Sequence, residues 1–255
     1  MNVLSPYQVA SIRIISAGLV LLPFAAKAMR NIAKEKRGVV VLSGLLGSFF
    51  PAYLFCIAET KIDSALAGIM NALTPLFVII TGISFFQLQV KKLQLIGIIV
   101  GFIGLSLLVA AGSNISLEYF SYSLLVLLAT LFYGINVNMV GKHMQGIGSL
   151  EIASMAFVFL LIPCSIILYF TGYFALPLTE DAYLLSTGAS AILGIFGTAV
   201  ASVLFYMLVK RAGALFASMV TYGIPFVAIG WGIWGGEQVN LIQVTCCGII
   251  LVGVY

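Results

Sequence analysis

The sequence predicts an all-α polytopic membrane protein, a five-plus-five inverted repeat of helices with nine spans present in this chain. Three observations carry that prediction. Hydrophobic residues make up 62% of the 255 positions and charged residues 8%, with a mean hydropathy of +1.18; soluble domains hold about 45–50% apolar and about 25% charged residues. The charged residues fall between apolar runs and alternate in sign from one link to the next. The chain also repeats itself at an offset of 150 positions.

Nine apolar segments follow one another, at roughly 5–26, 39–58, 64–86, 93–111, 121–141, 149–171, 186–209, 214–235 and 241–255. Runs of about 20 apolar residues are the length a helix needs to cross lipid. The short alternating segments of a membrane β-barrel are absent. Cys56, Cys164, Cys246 and Cys247 lie inside apolar segments without ligand spacing and are read as small core residues. No cleavable leader is recognisable, because the first apolar run has no basic stretch before it.

Segment 5–26 holds Arg13, the only basic residue well inside a span. It lies about nine residues, or about 13 Å, from the outer end. A charge at such depth costs about 2.5–3.5 kcal/mol on insertion scales, so Arg13 is expected to face protein or water in a gating or charge role; the alternative is snorkelling outward. Segment 39–58 brings Gly44 and Gly47, read as close helix packing.

Segment 64–86 reads SALAGIMNALTPLFVIITGISFF, about 34 Å long as a helix, with Pro75 at its midpoint. Proline lacks an N–H and clashes with the carbonyl four residues back, here that of Asn71. A freed carbonyl in lipid needs protein or a water-lined cavity to satisfy it. The expectation is a helix break at Pro75, and at its counterpart Pro225, presenting carbonyls to a central cavity beside Asn71, Thr74, Thr221 and Tyr222. The alternative is a packing kink in which Thr74 and Thr221 bond their own helix.

Segment 93–111 carries Gly97, Gly101 and Gly104 for close packing. Segment 121–141 ends in LFYGINVNMVGK, where Tyr133 and Asn136 are three apart and share a face. These two are expected to line the substrate path, with interhelical hydrogen bonding as the alternative for these residues and Asn138. Pro23 and Pro163 are expected to end the segments at 5–26 and 149–171. In segment 214–235, Trp231 and Trp234 suit interfacial anchoring or, for Trp231, a stacking wall for substrate. The last segment, about 15 residues, is short for a span.

Ten of the twelve Lys and Arg residues lie in every second link: Lys27, Arg30, Lys34, Lys36 and Arg37; Lys91 and Lys92; Lys142; Lys210 and Arg211. The alternate links hold Glu59, Asp63, Glu118, Glu180, Asp181 and Glu237 with the single Lys61. By the positive-inside rule the basic links are cytoplasmic and Met1 is outside.

At an offset of 150, Gly44, Gly47, Leu54, Phe55, Ala67, Pro75, Ile79, Gly82 and Ile83 meet identical residues, and Ser48 meets Thr198. Gly104 meets Gly253, and VASI at 9–12 resembles IASM at 152–155. The expected division is a first repeat at 1–111, lacking its first span, and a second at 112–255, its last span clipped. An odd number of spans per repeat inverts the halves, the arrangement of secondary transporters with a midplane site at the repeat interface.

The pattern SALAGIMNALTPLFVII, a short link, then QLIGIIVGFIGLSLL, followed in the second half by FASMVTYGIPFVAIGWGIWGGEQVNLIQVTCCGIILVGV, resembles the EamA-type transporters of the drug/metabolite transporter superfamily. SPYQVASIRIISAGLVLLP is similar to that family's second span. The resemblance implies a ten-helix inverted-repeat fold in the bacterial inner membrane that exports small metabolites, such as amino acids, or drug-like compounds by alternating access. Two features depart from the family pattern: the first span is missing, and Gln87 or Gln89 stands where the second half has Glu237. The alternatives are a nucleotide-sugar or other organic-anion carrier, which wants several cations in its cavity, and a non-transporting degenerate copy. An enzyme is not expected: there is no HExxH, no intramembrane carboxylate pair and no serine/histidine combination. No cofactor, metal or nucleic-acid partner is expected, His143 being alone beside Lys142; the partners are the lipid bilayer and a small-molecule substrate, and the chain is a monomer or a dimer.

Overall fold

Helix begins at Ser5 through a reciprocal cap. The Ser5 hydroxyl accepts from the Gln8 backbone N–H, and the Gln8 side chain accepts from the Ser5 N–H at 2.8 Å. Pro6 follows at the first helical position, where its missing N–H costs nothing. In the computed structural model, which describes residues 3–62, 64–110, 120–224, 226–227 and 241–254, helix α1 runs from there as Pro6–Asn31. Pro23 lies inside α1, and Pro163 lies inside α8 (Ser149–Phe170). The expectation that these prolines end their spans is therefore corrected; neighbouring helices and local adjustment let membrane helices continue through proline.

Helix α2 (Lys34–Gly44) passes through a π turn, Leu45–Phe49, into α3 (Phe50–Ala58), giving one 25-residue helix. Only Ile32 and Ala33 separate α1 from α2. The basic link is thus mostly helix end, and Arg37 turns back to the carbonyls of Ile32 and Met29. Segment 64–86 is three pieces: α4 (Ser64–Asn71), α5 (Thr74–Thr81) and a π turn, Gly82–Phe86. Then come α6 (Lys92–Ala110), α7 (Phe120–His143) and α8. The second half continues with α9 (Asp181–Gly194), a π turn at Ile195–Val200, and α10 (Ala201–Ala212), together 32 residues. The short α11 (Ala214–Ser218) tightens into a 3₁₀ turn, Met219–Gly223, and α12 is Leu241–Val254.

The protein is thus an all-α polytopic membrane protein. Among the described residues, five continuous helices are long and apolar enough to cross a membrane, at Pro6–Asn31, Lys34–Ala58, Ser121–His143, Ser149–Phe170 and Asp181–Ala212. Among the described residues, helix also occurs in the remaining predicted segments in shorter pieces.

Helices at matching places in the two halves pack on each other: α1 against α8 and α6 against α12. The second contact is made by backbone. A Cβ added at Gly97 would stand 2.4 Å from the Gly253 carbonyl oxygen, and one at Gly253 would stand 2.4 Å from the Gly101 nitrogen. The predicted role of these glycines in close helix approach is what the structure shows. Helix α7 packs against α3 and α5, and the core runs along α1, α7 and α8 with Ile14, Val140, Phe157 and Leu160 fully or almost fully buried.

Candidate substrate cavity

Two π turns shape the site. At Leu45–Phe49 the Phe50 N–H reaches back five residues to the Leu45 carbonyl, and at Ile195–Val200 the Ala201 N–H does the same to Phe196. The two turns stand 150 positions apart, in matching places of the repeat. Each inserts an extra residue into its helix, a distortion frequent at functional sites. The turns bring Gly47 with Ser48, and Gly197 with Thr198, onto the wall of one cavity.

That cavity measures about 650 Å³, within the roughly 300–1,000 Å³ of small-molecule sites. Five pairs of lining residues stand 150 apart: Gly47 with Gly197, Ser48 with Thr198, Ala52 with Ser202, Asn71 with Thr221, and Thr74 with Ile224. Arg13, Tyr133, Asn136, Phe205, Tyr206 and Ser218 also contribute. Among the described residues that line it, Arg13 is the one charged side chain.

Arg13 is half-buried, and its Nε donates to the Thr198 hydroxyl at 2.7 Å. Thr198 in turn donates at 3.4 Å to the Leu193 carbonyl, five residues back along its own helix. Just past α3 and outside the spans, the Glu59 carboxyl is raised from its ordinary value by partial desolvation, and the Arg13 charge pulls it back down.

Tyr133 and Asn136 both reach the cavity from α7. Asn136 is buried, accepts from the Ser43 hydroxyl at 2.5 Å and interacts with the Tyr206 phenol. Asn138 belongs elsewhere: its amide donates to the Val78 carbonyl, the Thr81 hydroxyl and the Gly134 carbonyl, tying α7 to α5.

Asn71, Thr74 and Thr221 line the cavity as well. Helix α4 stops at Asn71, and Pro75 takes a first-turn position of α5, where no intrahelical N–H is needed. The Thr74 hydroxyl donates to the Asn71 carbonyl at 2.6 Å. The break is real, but this carbonyl is bonded by its own chain, the alternative that the sequence left open. Thr221 similarly donates to the Ser218 carbonyl at 3.0 Å.

Tyr222 does not line the cavity. Its hydroxyl donates at 2.8 Å to the Ile98 carbonyl of α6, and its ring lies against Gly101. Pro225, Trp231 and Trp234 lie outside the described residues. Among the described residues no group of His, Cys, Asp or Glu comes together to hold a metal ion.

Ser48, Thr198, Ser202, Tyr206 and Ser218 are lining residues that sequence reasoning did not single out as a site. For Ser48 and Thr198 a signal existed, since the repeat places a hydroxyl at the same position of both halves beside a matched glycine.

The EamA-like transporter family matches residues 1–110 and 120–255 of the chain. An "Uncharacterized inner membrane transporter YedA" of Escherichia coli is 24% identical over 256 residues, covering 98% of this chain and 80% of that protein. An "Uncharacterized transporter" of Archaeoglobus fulgidus is 26% identical over 254 residues, covering 99% and 88%. A solved crystal structure superposes with a TM-score of 0.74 at 17% identity, over 98% of this chain and 88% of the other, a likeness of fold.

Proposed function

This chain belongs to the EamA-like transporter family, and from that premise we propose that it is a secondary transporter exporting amino acids or similar small metabolites by alternating access. The observation that carries the proposal is the cavity walled by five residue pairs from matching positions of the two halves. A site shared between repeats is where rocking of one half against the other exchanges access. The two halves are taken as residues 1–111 and 112–255, inverted relative to each other, with the basic links cytoplasmic in a bacterial inner membrane.

The π turns and the α4–α5 break supply the local mechanics. Each sits where a helix lines the cavity and where regular backbone bonding is already interrupted, so rearrangement there disrupts fewer helix bonds than elsewhere. Asn71, Thr74, Tyr133, Asn136 and Thr221 supply neutral hydrogen bonds to substrate, and Arg13 supplies charge. A cavity with one cation favours a small metabolite over a multiply charged nucleotide-sugar.

The test is flux. Purified protein in proteoliposomes loaded with a panel of amino acids and dyes is expected to move at least one compound faster than protein-free vesicles. Asn71→Ala and Tyr133→Phe are expected to alter that flux without lowering membrane expression. Flux equal to the empty control for every compound would overturn the reading.

A further inference from the structure

We propose that this cavity selects substrates carrying a single carboxylate, which Arg13 anchors, and that Thr198 is the residue that positions the guanidinium. The proposal deepens the transporter reading and rests on it for the word substrate.

Among the described lining residues Arg13 is the only cation, and no carboxylate accompanies it. Its hydrogen bond there is with a neutral hydroxyl, and Glu59, the carboxylate that feels its charge from beyond α3, is not among the lining residues, so the guanidinium is oriented toward the cavity with no anion on the wall. In a low-dielectric setting such a charge is costly until an anion meets it. Guanidinium and carboxylate suit each other because two parallel N–H groups face two oxygens. Thr198 takes the Nε edge, so a carboxylate is met by the end formed by the two terminal nitrogens.

The repeat then shows that the site has one charged pole and not two. VASI at 9–12 and IASM at 152–155 correspond, which makes Ala156 the counterpart of Arg13. The surrounding helix crossing is built in both halves: a Cβ at Gly194 would stand 2.3 Å from the Arg13 carbonyl oxygen, and one at Gly44 would stand 2.9 Å from the Ala156 Cβ. The Thr198 hydroxyl has its counterpart in Ser48. The counterpart crossing, Ala156 against Gly44 with Ser48 as the hydroxyl, thus repeats the close glycine contact and the hydroxyl but omits the cation. Besides Arg13 the wall offers amide, hydroxyl and aromatic groups, among them Asn71, Thr221, Tyr133 and Phe205. A dicarboxylate leaves one charge without a partner in this cavity, and an organic cation meets no carboxylate on the described wall.

Two matched comparisons separate the carboxylate from size and from the amino group: L-leucine against L-leucinamide, and N-acetyl-L-leucine against N-acetyl-L-leucinamide, the first of each keeping the carboxylate and the second replacing it with an amide. Each compound is measured for flux in proteoliposomes and for its effect on the melting temperature of the purified protein. The expected result is at least a tenfold preference for the carboxylate pair over the amide pair in flux, and ligand-induced stabilisation by the carboxylate pair alone. Arg13→Gln is expected to abolish the preference. Thr198→Val is expected to raise KM several-fold with little change in maximal rate, and Thr198→Ser to restore it, which a purely structural role would not give.

Equal handling of the two pairs by the wild-type protein overturns the proposal, as does a preference that survives Arg13→Gln. If no compound moves but the carboxylate pair stabilises the wild-type protein and not Arg13→Gln, the anion site stands and the transport reading fails. If no compound moves and none stabilises, the anion site is overturned. Should Arg13→Gln not fold, Thr198→Val decides: an unchanged KM and unchanged stabilisation overturn the proposal.

Discussion

The Thr74 hydroxyl donates at 2.6 Å to the carbonyl of Asn71, the one backbone acceptor that Pro75 deprives of its helical partner. Both residues sit on the cavity wall. The break between α4 and α5 is therefore closed off locally by the side chain that precedes the proline. The break keeps its shape without leaving a bare acceptor in the membrane.

Thr74→Val retains the volume of threonine and removes that donor. We expect a loss of about 1 kcal/mol, the net contribution of one hydrogen bond, seen as a lower melting temperature in detergent. Thr74→Ser is expected to recover most of it. An unchanged melting temperature for Thr74→Val would mean that cavity water satisfies Asn71 equally well.

Asn136 and Asn138 are two positions apart and point to different work. Asn138→Leu removes three donations to α5 and to its own helix; membrane hydrogen bonds average about 0.6 kcal/mol and reach about 1.7. Its expected effect is reduced thermal stability with the substrate KM unchanged. Asn136→Leu is expected to change transport, since Asn136 lines the cavity. A transport defect in Asn138→Leu protein that melts normally would contradict this division.

How far the sequence revealed this arrangement depends on what each feature is made of. The helical character and segment positions were legible because lipid demands apolar length. The helix ends were less so: α1 continues to Asn31 and α9 starts at Asp181, because a helix runs past the apolar limit where its end turns carry charges that suit its dipole, Arg30 in the last turn of α1 and Asp181 in the first turn of α9. Proline marked the α4–α5 break, and helical spacing placed Tyr133 and Asn136 on one face. The π turns left no trace in apolar periodicity, so Thr198 could be paired with Ser48 but not aimed at Arg13. Tyr222 was expected beside Thr221 in the cavity. The Met219–Gly223 stretch is a 3₁₀ turn with about three residues per turn, and that tighter winding places Tyr222 on the α6 side.

Tyr222 consequently yields its own prediction. Tyr222→Phe removes the bond to the Ile98 carbonyl and keeps the ring against Gly101. We expect a stability loss of about 1 kcal/mol and an unchanged KM for any transported compound. A raised KM without loss of stability would return Tyr222 to the substrate path.

Gly47 and Gly197 are repeat mates, yet the structure gives them unequal tolerance. A Cβ on Gly47 would stand 2.2 Å from the Asn136 amide nitrogen and 2.7 Å from its carbonyl carbon. Asn136 has little room to yield, because Ser43 and Tyr206 hold it. A Cβ on Gly197 meets the Leu193 Cδ1 at 2.8 Å, the end of a flexible side chain on a partly exposed helix face. Gly47→Ala is therefore expected to cost about 1–3 kcal/mol, as overpacking does, and Gly197→Ala clearly less. In the double variant Gly47→Ala/Asn136→Ala the clash disappears, so the two losses should sum to more than the measured total. Additive losses would show that Gly47 serves the π turn itself and not the approach of Asn136.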